Sequence, residues 1–153
     1  GVHEVDRYLT EKGRADARSG AARVAASGAR IDVVLTSPLA RAVQTAELLI
    51  STVGLSGEVR THTALLPGAP ASETVDALLE VPGGDTLLVG HAPDMRRRAA
   101  LLLGDGDVPP FSKGMVLCLE LATVGEAGRL RWAHLPGVVE VVQTLAELRE
   151  HRH

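Results

Sequence analysis

The sequence predicts an α/β fold, a three-layer αβα sandwich with a mostly parallel sheet and a late antiparallel hairpin. Short apolar runs rich in β-branched residues alternate with segments that carry helix caps and helix breakers. Strands that alternate with helices form a sheet covered by helices on both faces. Two later apolar runs, joined across residues 125–128, predict a hairpin that makes the sheet mixed rather than purely parallel.

In the first half of the chain, caps and breakers set the predicted boundaries. Thr10 can cap a helix through an Ala-rich segment, and Gly28 suits the position just after its end. Ser37 is placed as the N-cap of a second helix with Pro38 at its first position, and Ser72 as the cap of a third. The predicted elements are a helix over 10–28, a strand over 31–35, a helix over 38–54, a strand over 58–63 and a helix over 72–80.

In the second half, Pro93 is expected to open a helix that ends at Gly104, before a loop over residues 104–110. The last predicted element is a helix whose Val-rich start is ambiguous. The predicted elements are strands over 86–89, 115–121 and 129–135 and helices over 93–104 and 138–150. The sequence contains no visible repeat or linker, so the 153 residues are expected to form a single domain.

Composition argues against several classes of function. Aromatic residues make up only 2% of the chain and the formal net charge is −3, which argues against a nucleic-acid partner. No signal peptide or membrane-length apolar run is visible, so we expect a cytoplasmic protein without a membrane partner. Cys118 is the single cysteine, expected as a buried thiol, which excludes a disulfide framework. The six histidines lack metal-ligand spacing, and no cofactor is predicted.

The first candidate site is the run 36–46, where a strand ends and a helix begins. The free N–H groups of the first helical turn carry partial positive charge and can hold an anion. Helical side chains lean toward the helix N-terminus, so Arg41 would aim its guanidinium at the same place. Its planar fork of donors suits two phosphoryl oxygens. Ser37 and Arg41 are therefore candidate phosphate-binding residues, although the local pattern also fits a solvated arginine on an ordinary capped helix.

The second candidate is His91, which follows a buried strand and a glycine. Ligands of open α/β sheets bind outside the carboxyl ends of the strands, and Arg41 and His91 both follow such ends. If the two strands are parallel neighbours, these residues converge on one crevice as candidate catalytic and phosphate-binding residues. Taken singly, His91 also fits a loop histidine that caps or packs.

Other polar residues have structural interpretations beside functional ones. Glu73 and Asp76 lie in the first turn of a predicted helix, where carboxylates ordinarily interact with the helix dipole. If that helix overhangs the crevice, one of them could instead serve as a proton donor. Three consecutive arginines at 96–98 are expected on a solvated helix face, where they could also raise the local positive potential. His62 and His134 are expected to be surface or structural residues.

The two junctions resemble the histidine phosphatase superfamily, also called phosphoglycerate-mutase-like, and within it the SixA-type phosphohistidine phosphatases. The family's SP-x-x-RA-x-QTA segment corresponds to residues 37–46, its VGH-x-PD segment to residues 89–94 and its early LT-x-x-G stretch to residues 9–13. The resemblance covers essentially the whole chain.

This resemblance implies a phosphatase. A histidine of an Arg-His-Gly motif would attack phosphorus and form a phosphohistidine, from which water releases phosphate. Two arginines and a second histidine would hold the phosphoryl oxygens, with Arg41 as the second arginine and His91 as the second histidine. The implied substrate is a phosphorylated protein, through phosphohistidine, or a small phosphoester.

The start of the sequence departs from the family pattern. The first strand and its Arg-His-Gly motif should precede residues 9–13, but residues 1–8 contain no apolar strand. We therefore expect a single histidine-phosphatase-like domain over residues 1–153 that lacks its first strand. Gly1 could be the glycine of that motif, or it could be unrelated to the motif. Two further alternatives are that His3 substitutes for the nucleophile, or that the two chain ends are joined so that Arg152, His153 and Gly1 complete the motif.

Three functional hypotheses follow. The first is a phosphatase that hydrolyses a phosphohistidine or phosphomonoester through a covalent phosphohistidine intermediate. The second is a catalytically inactive module that binds a phospho-ligand through Arg41 and His91. The third is an α/β interaction domain without a pocket. The physiological substrate, the proton donor and the oligomeric state are not predicted.

Overall fold

A computed structural model describes residues 11–53, 58–81, 84–112 and 114–151. The α-helices are α1 (Glu11–Ala26), α2 (Ala40–Val53), α3 (Ser72–Leu79), α4 (Ala92–Leu103) and α5 (Leu145–Glu150). The strands are β1 (Ile31–Thr36), β2 (Glu58–Thr61), β3 (Asp85–Val89), β4 (Val116–Glu120) and β5 (Arg129–His134), and a 3₁₀ turn over Thr63–Leu65 follows β2.

Strand β1 is the centre of a parallel three-stranded sheet in the order β2-β1-β3. Its last residue, Thr36, lies opposite Thr61 at the end of β2 and Val89 at the end of β3. All three strands therefore end at the same edge of the sheet. This edge is where the sequence placed the two candidate junctions.

The two faces of β1 pack against different helices. Val34 lies in a core cluster with residues of α1 and α2, whereas Val33 and Leu35 lie in a second cluster with Ala77 of α3. Successive side chains of a strand point to opposite faces, so helices cover the sheet on both sides. The predicted three-layer α/β architecture is confirmed.

Strands β4 and β5 form the predicted antiparallel hairpin, with Val116 opposite His134 and Glu120 opposite Arg129. In the part of the chain that the structure describes, the hairpin is a separate two-stranded sheet rather than part of the parallel one, because β3 pairs there only with β1. Val116 and Trp132 nevertheless pack against the core cluster that contains α1, α2 and β1. The two sheets are thus joined by side-chain packing.

The predicted C-terminal helix over 138–150 is wrong in its first half. Val142 lies in an extended segment that pairs with Ala133, with backbone N–O distances of 2.7 and 3.0 Å. Helix α5 begins only after Thr144, whose hydroxyl accepts a hydrogen bond from the Glu147 N–H at 3.1 Å. β-Branched residues favour extended backbone, and here the second edge of β5 gives that backbone a partner.

Several predicted boundaries are confirmed and others are shifted. Gly28 and Gly104 follow α1 and α4 with φ of 77° and 67°, values that favour glycine. Ser72 is the first residue of α3 rather than its cap, since Ala71 occupies that position. The predicted cap Thr10 lies outside the described residues.

Cys118 is only half-buried, although burial still raises the pKa of its thiol.

His134 is a buried histidine whose titration should affect stability. It is 4% exposed, its Nε2 lies 3.2 Å from Ser19 Oγ, and its Nδ1 has no hydrogen-bond partner among the described residues. Burial, helped by the nearby Arg23 charge, lowers its pKa below the ordinary value. In the pH range between that lowered pKa and about 6.5, the unfolded chain binds a proton that the folded chain does not.

We therefore expect the free energy of unfolding to fall as pH is lowered below about 6.5. His134→Gln keeps a polar partner for Ser19 but cannot titrate, so its stability should depend less steeply on pH over this range. Urea unfolding at a series of pH values measures the effect, with His151→Gln, at an exposed histidine, as the control. An unchanged pH slope in His134→Gln would contradict the prediction.

Candidate functional site

The candidate site lies where β1 and β3 end side by side. The N–H of Ser37, the residue after β1, donates to the carbonyl of Val89 at the end of β3 with an N–O distance of 3.0 Å. His91 follows β3 by two residues, and Arg41 lies in the first turn of α2. The structure therefore brings together the three site residues that the sequence predicted.

The His91 ring lies between the other two side chains. Its Nε2 is 2.9 Å from Ser37 Oγ, and its Nδ1 is 3.2 Å from Arg41 Nη2. Ser37 is completely buried and His91 is 7% exposed, whereas Arg41 is only half-buried. Arg41 is thus the member of the group that lies nearest to solvent.

The partners of the ring define its tautomer. A guanidinium can only donate hydrogen bonds, so the Nδ1 that faces Arg41 acts as the acceptor. In a neutral ring the proton is then on Nε2, which donates to the Ser37 hydroxyl. The Ser37 backbone is fixed in turn, because its carbonyl accepts a hydrogen bond from Thr36 Oγ1 at 3.0 Å. A neutral ring with its proton on Nε2 is the tautomer compatible with these two ring contacts.

Helix α2 begins later than the sequence predicted. Its first residue is Ala40, and the carbonyl of Leu39 accepts hydrogen bonds from the N–H groups of Ala42 and Val43. Ser37 is therefore not the N-cap, although its hydroxyl is within 3.3 Å of the Leu39 N–H. The Ser37 side chain faces His91 because the chain makes an additional bend over residues 38–39 before the helix starts.

His91 is held by the first turn of α4. Its backbone is extended, with φ −114° and ψ 137°, and its carbonyl accepts the N–H groups of Asp94 and Met95 at 3.1 and 2.9 Å. Pro93 lies in the first turn as predicted. Gly90 allows close packing just before the ring, since a Cβ there would lie 2.8 Å from Met95 Sδ.

Three other polar residues considered from the sequence lie on α3 and just after β2. Glu73 and Asp76 are exposed on α3. His62 is structural, as expected: its Nδ1 accepts the Ala64 N–H at 3.0 Å and its Nε2 is 2.9 Å from Glu80.

The prediction that residues 96–98 form a solvated helix face is wrong for Arg98, which is only 1% exposed. Its Nη1 donates to Thr74 Oγ1 at 3.2 Å and its Nη2 to the Leu66 carbonyl at 3.3 Å. Arg96 donates to the Val108 carbonyl at 2.7 Å, and Arg97 pairs with Asp94. Burial lowers the pKa of Arg98, but an arginine remains charged in a protein.

Asp94 is a buried carboxylate to which the sequence analysis assigned no role. Its Oδ2 accepts the Gly68 N–H at 2.8 Å. Burial opposes its ionisation, but the Gly68 N–H and the Arg97 charge outweigh burial, and the pKa of Asp94 lies below its ordinary value. An acidic residue in the first turn after the histidine was visible in the sequence. Its partner, 26 residues away, was not.

The described residues contain no group of three or more histidine, cysteine, aspartate or glutamate side chains that could hold a metal ion. Over the same residues, no helix is both long and apolar enough to cross a lipid bilayer.

Comparison with known proteins identifies relatives. The family model of the histidine phosphatase superfamily (branch 1) matches residues 2–66. An uncharacterised protein of Picosynechococcus sp. is 34% identical over 97 residues, a match that covers 59% of this chain and 56% of that protein. The match thus spans little more than half the length of that curated relative.

Several solved structures share the fold. The protein histidine phosphatase SixA complexed with tungstate has a TM-score of 0.77 at 24% identity, over 97% of this chain and 90% of that chain. A proposed phosphohistidine phosphatase SixA from Nakamurella multipartitia has a TM-score of 0.74 at 25% identity, over 90% of both chains. A mycobacterial glucosyl-3-phosphoglycerate phosphatase has a TM-score of 0.61 at 19% identity, over 82% of this chain and 86% of that one.

The family match includes the segment of Ser37 and Arg41, and the solved structures share the α/β fold that brings His91 to that segment. Residues 2–66 thus match the histidine phosphatase superfamily, and the chain as a whole has the phosphoglycerate-mutase-like fold of the SixA structures.

Proposed function

We propose that this protein is a phosphatase that acts on a phosphohistidine or a phosphomonoester. The observation that carries the proposal is the 3.2 Å approach of Arg41 Nη2 to His91 Nδ1 at the carboxyl ends of two adjacent parallel strands. A cation beside an imidazole at this edge of an α/β sheet is suited to an anionic ligand.

A bound phosphoryl group would replace the contact between Arg41 and His91 with hydrogen bonds from each side chain to the phosphoryl oxygens. Its oxygens accept hydrogen bonds from the guanidinium, which carries donors in a planar fork. To contribute a second donor, His91 must hold its proton on Nδ1. Nε2 then becomes an acceptor, and the Ser37 hydroxyl can reverse its hydrogen bond and donate to it, because a hydroxyl both donates and accepts.

Ser37 therefore acts through His91 rather than by direct contact. Its side chain is completely buried, with Oγ 2.9 Å from the ring. The phosphate-binding role expected for Ser37 is in this proposal a positioning role. It holds the imidazole in place and accommodates both tautomers.

The chemical step follows the mechanism that the family resemblance implies. A histidine nitrogen attacks phosphorus, a P–N bond forms, and the bond to the leaving group breaks as that group takes a proton. Water then attacks the phosphohistidine, the P–N bond breaks and inorganic phosphate leaves. Arg41 and His91 would stabilise the negative charge on the phosphoryl oxygens in both steps, and the proposal assigns the nucleophile to no described residue.

The substrate class is supported by similarity and by the outline of the chain. One solved structure of the same fold is a protein histidine phosphatase and another is a glucosyl-3-phosphoglycerate phosphatase. The short segment between β2 and β3 leaves little chain for a lid over the site. An open site suits a phosphohistidine on a protein surface.

The proposal is tested with the full-length protein by measuring phosphate release and trapping of a phosphoenzyme. The substrates are a histidine-phosphorylated carrier protein and p-nitrophenyl phosphate. We expect release of phosphate and an acid-labile phosphoenzyme. Phosphate binding without turnover or phosphoenzyme would favour a non-catalytic binding module and contradict the proposal.

His91→Ala should lower kcat/KM by about 100-fold or more, the loss typical of removing one preorganised donor from a charged transition state. The substitution should also lower the unfolding midpoint, because the buried ring contacts the Ser37 hydroxyl, so activity is measured well below that midpoint. His151→Ala, at an exposed histidine, is the matched control and should keep full activity. Full activity in His91→Ala would contradict the site assignment.

The tautomer exchange can be observed by ¹⁵N NMR of histidine-labelled protein. Without ligand, the Nε2 of His91 should carry the proton; with saturating inorganic phosphate or vanadate, Nδ1 should carry it. In Ser37→Ala both tautomers lose their hydroxyl partner on Nε2, so the exchange should persist and phosphate affinity should fall only through looser placement of the ring, by less than about ten-fold. An identical tautomer with and without ligand would contradict this role of Ser37.

A further inference from the structure

Residues 62–69, here called the rim segment, run along the edge of the sheet that carries the candidate site. The His62 N–H donates to the Thr36 carbonyl at 2.9 Å, at the end of β1. Farther along, the Leu65 carbonyl lies 3.8 Å from the position that a Cβ on Gly90 would take. The rim segment thus passes from the end of β1 to the residue before His91 and forms a wall beside the crevice.

Two side chains of α4, one helical turn apart, hold the far end of the rim segment. Asp94 Oδ2 accepts the Gly68 N–H at 2.8 Å. Arg98 Nη2 donates to the Leu66 carbonyl at 3.3 Å. Both contacts are with backbone groups, so they fix the path of the segment whatever side chains it carries.

These contacts use buried charges, which are costly. Asp94 is 6% exposed and Arg98 is 1% exposed. The other contact of the Arg98 guanidinium among the described side chains is with the Thr74 hydroxyl, and its Nε has no hydrogen-bond partner among the described residues. An apolar pair of similar volume would serve the packing of α4 at least as well. Asp94 also pairs with Arg97, and the Asp94 and Arg98 charges attract each other, but what the two side chains share beyond α4 is the backbone of the rim segment that they hold.

We propose that Asp94 and Arg98 are positioning residues that fix the rim segment as a wall of the crevice and thereby select the leaving group. This inference rests on the proposed phosphatase function. The wall lies beside His91 rather than between His91 and Arg41. It therefore acts on the part of the substrate that leaves and not on the phosphoryl group.

The chemistry of the wall favours one class of leaving group. The rim segment has one ionisable side chain, His62, whose ring nitrogens already face the Ala64 N–H and Glu80, and it includes Pro67. Such a wall offers no partner for the additional phosphate or carboxylate of a small phosphorylated metabolite. It is compatible with the imidazole of a protein phosphohistidine, whose neighbouring polypeptide can lie against an uncharged, stiff surface.

The test compares Asp94→Ala with Asp94→Asn, which keeps an oxygen that can accept the Gly68 N–H. The matched control is Asp32→Asn, an exposed carboxylate near the opposite end of β1. Three quantities are measured in each protein: KM for a histidine-phosphorylated carrier protein, the inhibition constant of inorganic phosphate, and the hydrogen-exchange rate of the Gly68 amide.

Asp94→Ala should raise KM for the phosphorylated carrier about ten-fold, as expected when a charge-assisted hydrogen bond that fixes a contact surface is lost. The inhibition constant of phosphate should stay within about two-fold of the wild type, because the phosphoryl-binding residues are unchanged. The Gly68 amide should exchange faster. Asp94→Asn should have a KM and a Gly68 exchange rate between those of the wild type and Asp94→Ala. The Asp32→Asn control should match the wild type in all three quantities.

An unchanged KM, or an equal rise in KM and in the phosphate inhibition constant, would overturn the selection role. An unchanged exchange rate at Gly68 in Asp94→Ala would overturn the positioning role. If the wild-type protein releases phosphate neither from the histidine-phosphorylated carrier protein nor from p-nitrophenyl phosphate, the proposed function and the selection role are both overturned. An active wild type with unaltered KM in Asp94→Ala overturns the selection role alone.

Discussion

Parallel pairing of β1 with β3 is the constraint on which the rest of the site depends. Because Thr36 lies opposite Val89, the segments that follow the two strands start side by side. The hydrogen bond from the Ser37 N–H to the Val89 carbonyl extends this pairing one residue beyond β1. His91 and Arg41 are 50 positions apart in sequence, and this register is what allows their side chains to meet. A shift of β3 by one residue would turn the side chains of that strand to the other face of the sheet and move His91 relative to Arg41.

The chain makes this pairing stable with an aliphatic core. Val34 and the small residues Ala42 and Ala46 are almost completely buried, which lets α2 pack closely on β1. Close packing of α2 places its first turn, and hence Arg41, at the edge of the sheet. Two charged side chains, Asp94 and Arg98, are buried near that edge. There the charged groups bind backbone of the rim segment instead of solvent.

The sequence predicted what is determined locally. Apolar runs mark β1 and β3, Gly28 and Gly104 mark the ends of two helices, and Arg41 and His91 were predicted from strand-to-helix junctions. It did not predict contacts that depend on distant partners. Arg98 belongs to a run of arginines typical of a solvated face, but Thr74 and Leu66 enclose it. Val142 was expected in a helix because nothing local reveals the free edge at Ala133.

The central claim is that Arg41 and His91 act together on one anion, and a double-mutant cycle on phosphate affinity tests it most directly. Titration calorimetry with inorganic phosphate would compare the wild type, Arg41→Met, His91→Ala and the double variant. Residues that share one ligand are energetically coupled, so each single variant should lose about ten-fold or more in affinity and the double variant little beyond the worse single one. Losses that simply add, or unchanged affinity in either single variant, would contradict a shared phosphoryl site.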